Sequence, residues 1–248
     1  MAKTELTEKR CTAVVLAAGS GSRMESPIAK QFLLLKDKPL IYYALRTIEA
    51  SKIIDDCILV TGEEDISRVK REIVEKYEFH KVDAIIAGGK ERYASVANAM
   101  RLLRQERMPV TDRQGYVFIH DGARPFLTEE ILERTYQAVQ EFHACVAAVP
   151  SKDTVKIADE QGFALETPAR RLVWNIQTPQ VFDTRLIVEA YARLEQKYSE
   201  FKNGVPVTDD ASVVELFTDC GVKLVMGSYE NIKITTPEDL AMAAAILG

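Results

Sequence analysis

Two glycines and two cations share one short stretch of this 248-residue chain: Gly19, Gly21, Arg23 and Lys30. The apolar run that ends at Ala17 and Ala18 leads into them and reads as a buried parallel strand. Glycines carry no Cβ, so the backbone N–H groups of such a loop can approach an anion closely. Arg23 and Lys30 add side-chain charge to the same loop. Strand, glycine turn and paired cations together are suited to holding a polyphosphate, which points to nucleotide binding. Two commoner glycine loops are excluded. A P-loop needs Gly-Lys followed by Ser or Thr, and the chain has none. A dinucleotide fingerprint needs a third glycine opening a helix and a downstream acid. Met24 occupies that third position, Pro27 interrupts the helix, and cations follow.

Further clusters lie along the chain. Asp121 and Arg124 offer a carboxylate for hydroxyls and a cation for phosphate within four residues. Ser95 follows the turn Gly88-Gly89, where its hydroxyl can read a base or cap the turn. Asp209 and Asp210 stand where acids favour a helix N-terminus, with outer-shell contact to a metal as the other reading. His80, His120 and His143 have no metal-ligand spacing, and His120 reads as a strand-end histidine. Cys11, Cys57, Cys145 and Cys220 are far apart with no Cys-x-x-Cys pair, which predicts reduced thiols.

Leu16-Ala17-Ala18-Gly19-x-Gly21-x-Arg23-Met24 with Lys30-Gln31 resembles the nucleotidyltransferases that activate sugar phosphates. The blocks Gly88–Val96, His120–Pro125, Asp153–Lys156, Gln177–Phe182, Thr208–Ser212 and Asn231–Thr235 follow in order. Together they resemble the 2-C-methyl-D-erythritol 4-phosphate cytidylyltransferase family, over essentially the whole chain after a short N-terminal extension. One departure is local: the family usually carries Pro directly before the lysine, whereas here Ala29 does and Pro27 lies two earlier.

The resemblance implies transfer of CMP from CTP to 2-C-methyl-D-erythritol 4-phosphate, with a relative acting on ribitol 5-phosphate as the alternative. It implies catalytic roles for Arg23, Lys30 and Lys233 and a CTP site of Ala17, Ala18, Gly19, Gly21, Gly89 and Ser95. It also implies an acceptor site of Asp121, Arg124, Thr178, Thr154 and Arg170, the last two lent by the second subunit of a homodimer. Arg171 competes with Arg170 for that role. Magnesium is expected to arrive on the triphosphate, without a dedicated protein ligand. A non-catalytic nucleotide sensor is the reading from another class; it would be expected to lack one of the three cations, and all are present.

The elements that must position these residues alternate. Apolar strand candidates are 12–17, 56–61, 82–87, 116–120, 144–149 and 222–227. Helical periods fall at 39–50, 64–77, 91–106, 128–142, 184–198, 208–218 and 237–247. Thr236-Pro237-Glu238-Asp239 supplies a cap, an N1 proline and first-turn acids for the last. Alternation of this kind predicts an α/β fold: a Rossmann-like, mostly parallel sheet with helices on both faces and ligands at the carboxyl ends of its strands. Residues 150–175 break the rhythm and predict a protruding β-arm on a single nucleotidyltransferase domain spanning 1–248. A lone hairpin is too small to be stable by itself, and a two-fold dimer would cover it.

Composition sets the remaining limits. A net charge of −5 argues against nucleic acid as a partner. Met1–Arg10 is polar, without the apolar core of a signal peptide, and no apolar run is long enough to span a membrane. The expectation is a soluble, cytoplasmic protein without a membrane partner.

Overall fold

The computed structural model describes residues 9–19, 29–105, 115–201 and 207–248, with backbone alone at Lys30 and at 198–201. Its centre is a seven-stranded sheet. The strands are β1 (Cys11–Ala17), β4 (Asp56–Thr61), β5 (Val82–Ala87), β6 (Tyr116–Asp121), β7 (Ala144–Pro150), β10 (Trp174–Asp183) and β11 (Lys223–Met226). Their order is β11-β7-β10-β6-β1-β4-β5. β1 runs parallel to β4 and β6, β4 to β5, and β11 to β7, while β10 lies antiparallel between β6 and β7. Two short strands, β2 (Leu34–Leu35) and β3 (Lys38–Pro39), form a separate ladder before the first helix.

Six of these seven strands match the apolar runs; β1, β4, β6 and β7 are buried along nearly their whole length, as a strand covered on both faces must be. β10 is not among those runs. Its sequence Trp174-Asn175-Ile176-Gln177-Thr178-Pro179-Gln180 is polar and carries a proline, which argues against a central strand. Pro179 is accommodated because the register against β7 breaks between Ile176 and Gln180, so no ladder hydrogen bond is demanded of it there.

Helices cover both faces. α1 (Leu40–Ala50), α2 (Ile66–Val69, running on as a π-helical turn through Glu75) and α4 (Glu129–Phe142) lie on one face. They bury Ile41, Leu45, Ile48, Val69, Ile131 and Val139 against Ala13, Val15, Cys57 and Leu59. α3 (Arg92–Arg104), α5 (Thr184–Phe201) and α6 (Asp210–Phe217) lie on the other, over Val14, Ile58, Val60, Val117 and Phe182. The alternation of Val14 and Val15 between these two cores is the period-2 signature of a strand. α7 (Pro237–Ile246) starts at Thr236, whose side chain and that of Asp239 form a reciprocal capping box.

Where a projecting hairpin is expected, β8 (Ile157–Ala158) pairs antiparallel with β9 (Ala164–Glu166). Asp159 and Gly162, the latter at φ +87°, make the turn. Ile157, Phe163, Leu165 and Leu172 are all exposed on this arm. No described helix is long and apolar enough to cross a membrane.

Phe182 is fully buried on β10, opposite Val117 of β6 and Ala144 of β7. Phe182→Ala should therefore cost about 3–5 kcal/mol in a urea titration, the range for emptying an aromatic site in a packed core.

Candidate active site

At the carboxyl ends of β1, β5 and β6 the sheet opens into a cleft of about 400 Å³, lined by Ala18, Gly19, Gln31, Gly89, Arg92, Ser95, Asp121 and Lys233 among others. One wall is the turn after β5. Gly88 donates its N–H to Thr61 O at 2.7 Å, and Gly89 donates to Ser95 Oγ at 3.0 Å. Ser95 is buried, so its hydroxyl pins the turn against the start of α3. A Cβ at Gly88 would lie 2.3 Å from the Ala18 Cβ, and one at Gly89 would lie 2.4 Å from that of Ala94. Glycine is required at both positions by contact. The opposite wall begins at Ala17, whose carbonyl accepts a hydrogen bond from Gln31 Nε2. Gln31 follows Lys30 in a short 3-10 turn, Lys30–Phe32.

The floor is built around Asp121, the last residue of β6, whose side chain is 10 % exposed. Lys233 Nζ stands 2.8 Å from Asp121 Oδ2, Arg92 Nε donates to Oδ1 at 3.2 Å, and Arg124 Nε lies 3.9 Å from Oδ2. Burial alone would raise the Asp121 pKa. The charges of Arg92, Lys233 and Arg124 and the Lys233 hydrogen bond outweigh it and hold the carboxyl far below the usual carboxylate range. Arg92 also donates through Nη2 to Asp210 Oδ2 at 2.7 Å, and Asp210 is completely buried. Burial disfavours the Arg92 charge, yet Asp210 and Asp121 keep its pKa well above the ordinary value.

Three segments distant in sequence lock together beneath this floor. Arg124 donates to Asn231 O at 2.7 Å, Asn231 Nδ2 donates to Thr178 O at 2.8 Å, and Ile234 N donates to Ala123 O at 2.9 Å. Thr178 is buried; its Oγ1 accepts the Asp121 N–H at 3.1 Å and lies 3.0 Å from His120 Nδ1. His120 Nε2 is 3.1 Å from Arg124 O, which can only accept. Nε2 therefore carries the proton, and Nδ1 accepts the Thr178 hydroxyl hydrogen. Burial pushes the His120 pKa down to about 4, so the ring is neutral near pH 7.

The structure thus brings together Ala17, Ala18, Gly19, Gly89, Ser95, Asp121, Arg124, Thr178 and Lys233 at one edge. Gly21, Arg23 and the Lys30 side chain lie outside the described residues. Thr154 and Arg170 sit exposed on the arm, and neither lines the cleft of its own chain. Asp209 caps α6, accepting from Ser212 N at 2.9 Å in a capping box. Sequence reasoning gave no role to Arg92, Gln31, Gln177 or Asn231. Arg92 and Gln31 stand inside the quoted motifs, but their burial partners are remote in the chain, and spacing cannot supply those.

Residues 11–248 match the family described as IspD: 2-C-methyl-D-erythritol 4-phosphate cytidylyltransferase. A relative of that name from Lachnospira eligens is 47% identical over 237 residues, spanning 95% of this chain and 98% of the relative. One from Lachnoclostridium phytofermentans is 44% identical over 239 residues, spanning 96% and 97%. The crystal structure of 4-diphosphocytidyl-2C-methyl-D-erythritol synthase from Anaerococcus prevotii superposes with a TM-score of 0.78 at 33% identity, covering 96% of each chain.

His120 should leave a signature in stability. Between its unfolded pKa near 6.5 and its folded value of about 4, the unfolded chain binds a proton that the fold excludes. Unfolding free energy should then fall by about 3 kcal/mol as pH drops through that window. Urea titrations of His120→Gln should lack most of this slope; an unchanged slope would contradict the assignment.

Proposed function

This chain belongs to the 2-C-methyl-D-erythritol 4-phosphate cytidylyltransferase family, and from that premise we propose how its cleft transfers CMP from CTP to 2-C-methyl-D-erythritol 4-phosphate. The products are 4-diphosphocytidyl-2-C-methyl-D-erythritol and pyrophosphate. The observation that carries the reading is the Asp121 floor: three cations, Arg92, Arg124 and Lys233, surround this carboxylate beside the Gly88–Ser95 wall. Such a surplus of fixed positive charge in a partly dehydrated cleft suits an anion approaching an anion.

In the reaction an oxygen of the acceptor phosphate attacks the α-phosphorus of CTP. The new P–O bond forms as the bond to the β-phosphate breaks, and pyrophosphate leaves with that electron pair. A phosphate dianion needs no side-chain nucleophile, so the residues orient and neutralise. Lys30 and Lys233 grip the α-phosphate from opposite sides, and Arg23 forks across the β- and γ-oxygens. Backbone groups at Ala17, Ala18, Gly19, Gly21 and Gly89, with the turn held by Ser95, meet the nucleotide. Asp121 and Arg124 face the acceptor, and Thr178 fixes Asp121 in place.

Magnesium fits this donor set as a companion of the triphosphate. Among the described residues the cleft lining holds two carboxylates, Glu91 and Asp121, and Asp121 is already bound by Lys233 and Arg92. When bound, the ion neutralises phosphate charge and holds the triphosphate in one shape. Thr154 and Arg170 complete the acceptor pocket of a second subunit, with the arm as the dimer contact on one nucleotidyltransferase domain. The exposed Ile157, Phe163, Leu165 and Leu172 give that contact its apolar area. We assign the reaction to the cytoplasm, in keeping with four cysteines that form no disulfide.

Pyrophosphate release with CTP and magnesium should be strong with 2-C-methyl-D-erythritol 4-phosphate and weak with ribitol 5-phosphate. The reverse preference would keep the clamp and overturn the acceptor pocket. Mixing Arg170→Ala chains with Lys30→Ala chains should restore activity through hybrid dimers, each holding one site with both residues intact. Hybrids that form yet stay inactive would remove the shared site.

A further inference from the structure

Asp210 is more deeply buried than a helix-starting acid needs to be. Its neighbour Asp209 already caps α6 through Ser212, and Gln180 Oε1 accepts the N–H groups of both Asp210 and Ala211 at 2.9 Å. The start of the helix is therefore satisfied without the Asp210 side chain. That side chain points inward. Oδ1 accepts the hydroxyl of Tyr191, itself buried, at 2.7 Å, and Oδ2 accepts from Arg92 Nη2 at 2.7 Å. A buried carboxylate is costly unless such partners satisfy it.

The consequence lies one residue further on. A guanidinium facing a single carboxylate prefers a two-pronged pair. Arg92 instead gives Asp121 only Nε, at 3.2 Å from Oδ1, because its outer nitrogen is held by Asp210. Asp121 Oδ2 is thereby left for Lys233, at 2.8 Å.

We propose that Asp210, oriented by Tyr191, is a positioning residue for the transfer reaction: it holds half of the Arg92 fork away from Asp121, so that Asp121 can anchor Lys233. Without the Asp210 charge, Arg92 turns both prongs onto Asp121 and Lys233 loses its seat. The relay Tyr191–Asp210–Arg92–Asp121–Lys233 connects the core beneath α5 with the cleft, although neither Tyr191 nor Asp210 lines that cleft. The inference rests on the reading of Lys233 as part of the phosphate clamp.

A double-mutant cycle separates the two. Lys233→Ala alone tests the clamp; wild-type turnover in that variant would overturn the clamp and this relay together. Asp210→Asn keeps the shape and removes the charge. It should lower kcat about tenfold through misplacement of Lys233, while the Kd for CTP measured without acceptor stays within about twofold. In the Lys233→Ala background the same substitution should cost less than about twofold, because its target is already gone. A merely structural role would instead lower the melting temperature and cut kcat by the same factor in both backgrounds. Equal factors, with Lys233→Ala itself strongly impaired, would overturn the relay while leaving the clamp intact. Should Asp210→Asn fail to fold, Tyr191→Phe makes the same test from the far end of the relay. It should cost about threefold in the wild type and nothing in Lys233→Ala; equal costs there would again overturn it.

Discussion

A charged carboxylate buried at the end of a central strand is the constraint on which this site is built. Asp121 cannot be removed from water as an anion unless cations come to it, and burying a lone carboxylate would protonate it instead. The chain meets that demand with Arg92 from the start of α3, Arg124 from the turn after β6 and Lys233 from the loop before α7. Nothing local brings these together, since they are separated by up to 141 positions from Arg92 to Lys233. The sheet does so: β5 and β6 are both parallel in sense to β1, so their carboxyl ends share one edge.

The antiparallel strand β10 serves two ends at once. The chain leaves the sheet at Pro150, makes the arm, and returns where Trp174 pairs with Pro150 and Ser151 N donates to Val173 O at 2.9 Å. From that closed base, β10 carries Gln177 and Thr178 to the floor and Gln180 to the start of α6. The arm and the wall of the acceptor site are therefore one continuous piece of chain. Its direction follows from this: a strand returning from a hairpin excursion beside β7 must run antiparallel to it.

The parallel strands were legible as mostly apolar runs, the inner ones buried on both faces, and the longer helices by their 3.6-residue period. β10 was not, because its polar residues are buried by partners rather than excluded from the core. Gln177 bonds Ser228 O, Gln180 bonds Asp209, and Thr178 bonds His120. A polarity pattern cannot distinguish a solvated segment from one whose hydrogen bonds are met inside. The same limit applies to the site. Asp121 and Arg124 were visible as a pair because they lie within one turn of chain. Arg92 was not, since its meaning depends on two carboxylates that only the fold supplies. His120 reads as an ordinary strand-end histidine from its spacing, and the fold makes it the neutral acceptor that orients Thr178.

The chain as a whole is acidic, with a net charge of −5, yet its cleft must draw in anions. Within the cleft the sign is reversed. Among the described residues Arg92, Arg124 and Lys233 pair with two acids, Asp121 and Asp210, which leaves positive charge in surplus. That surplus is useful only if it is aimed, because cations free to turn inward would neutralise themselves on the nearest carboxylate. Here two of the three are tied by a partner on the far side, Arg124 by the Asn231 carbonyl and Arg92 by Asp210, itself held by Tyr191, and Lys233 is seated on Asp121. Preorganised charge of this kind needs no rearrangement when a phosphate arrives, which is why fixed geometry and not charge number governs what such a site can accelerate.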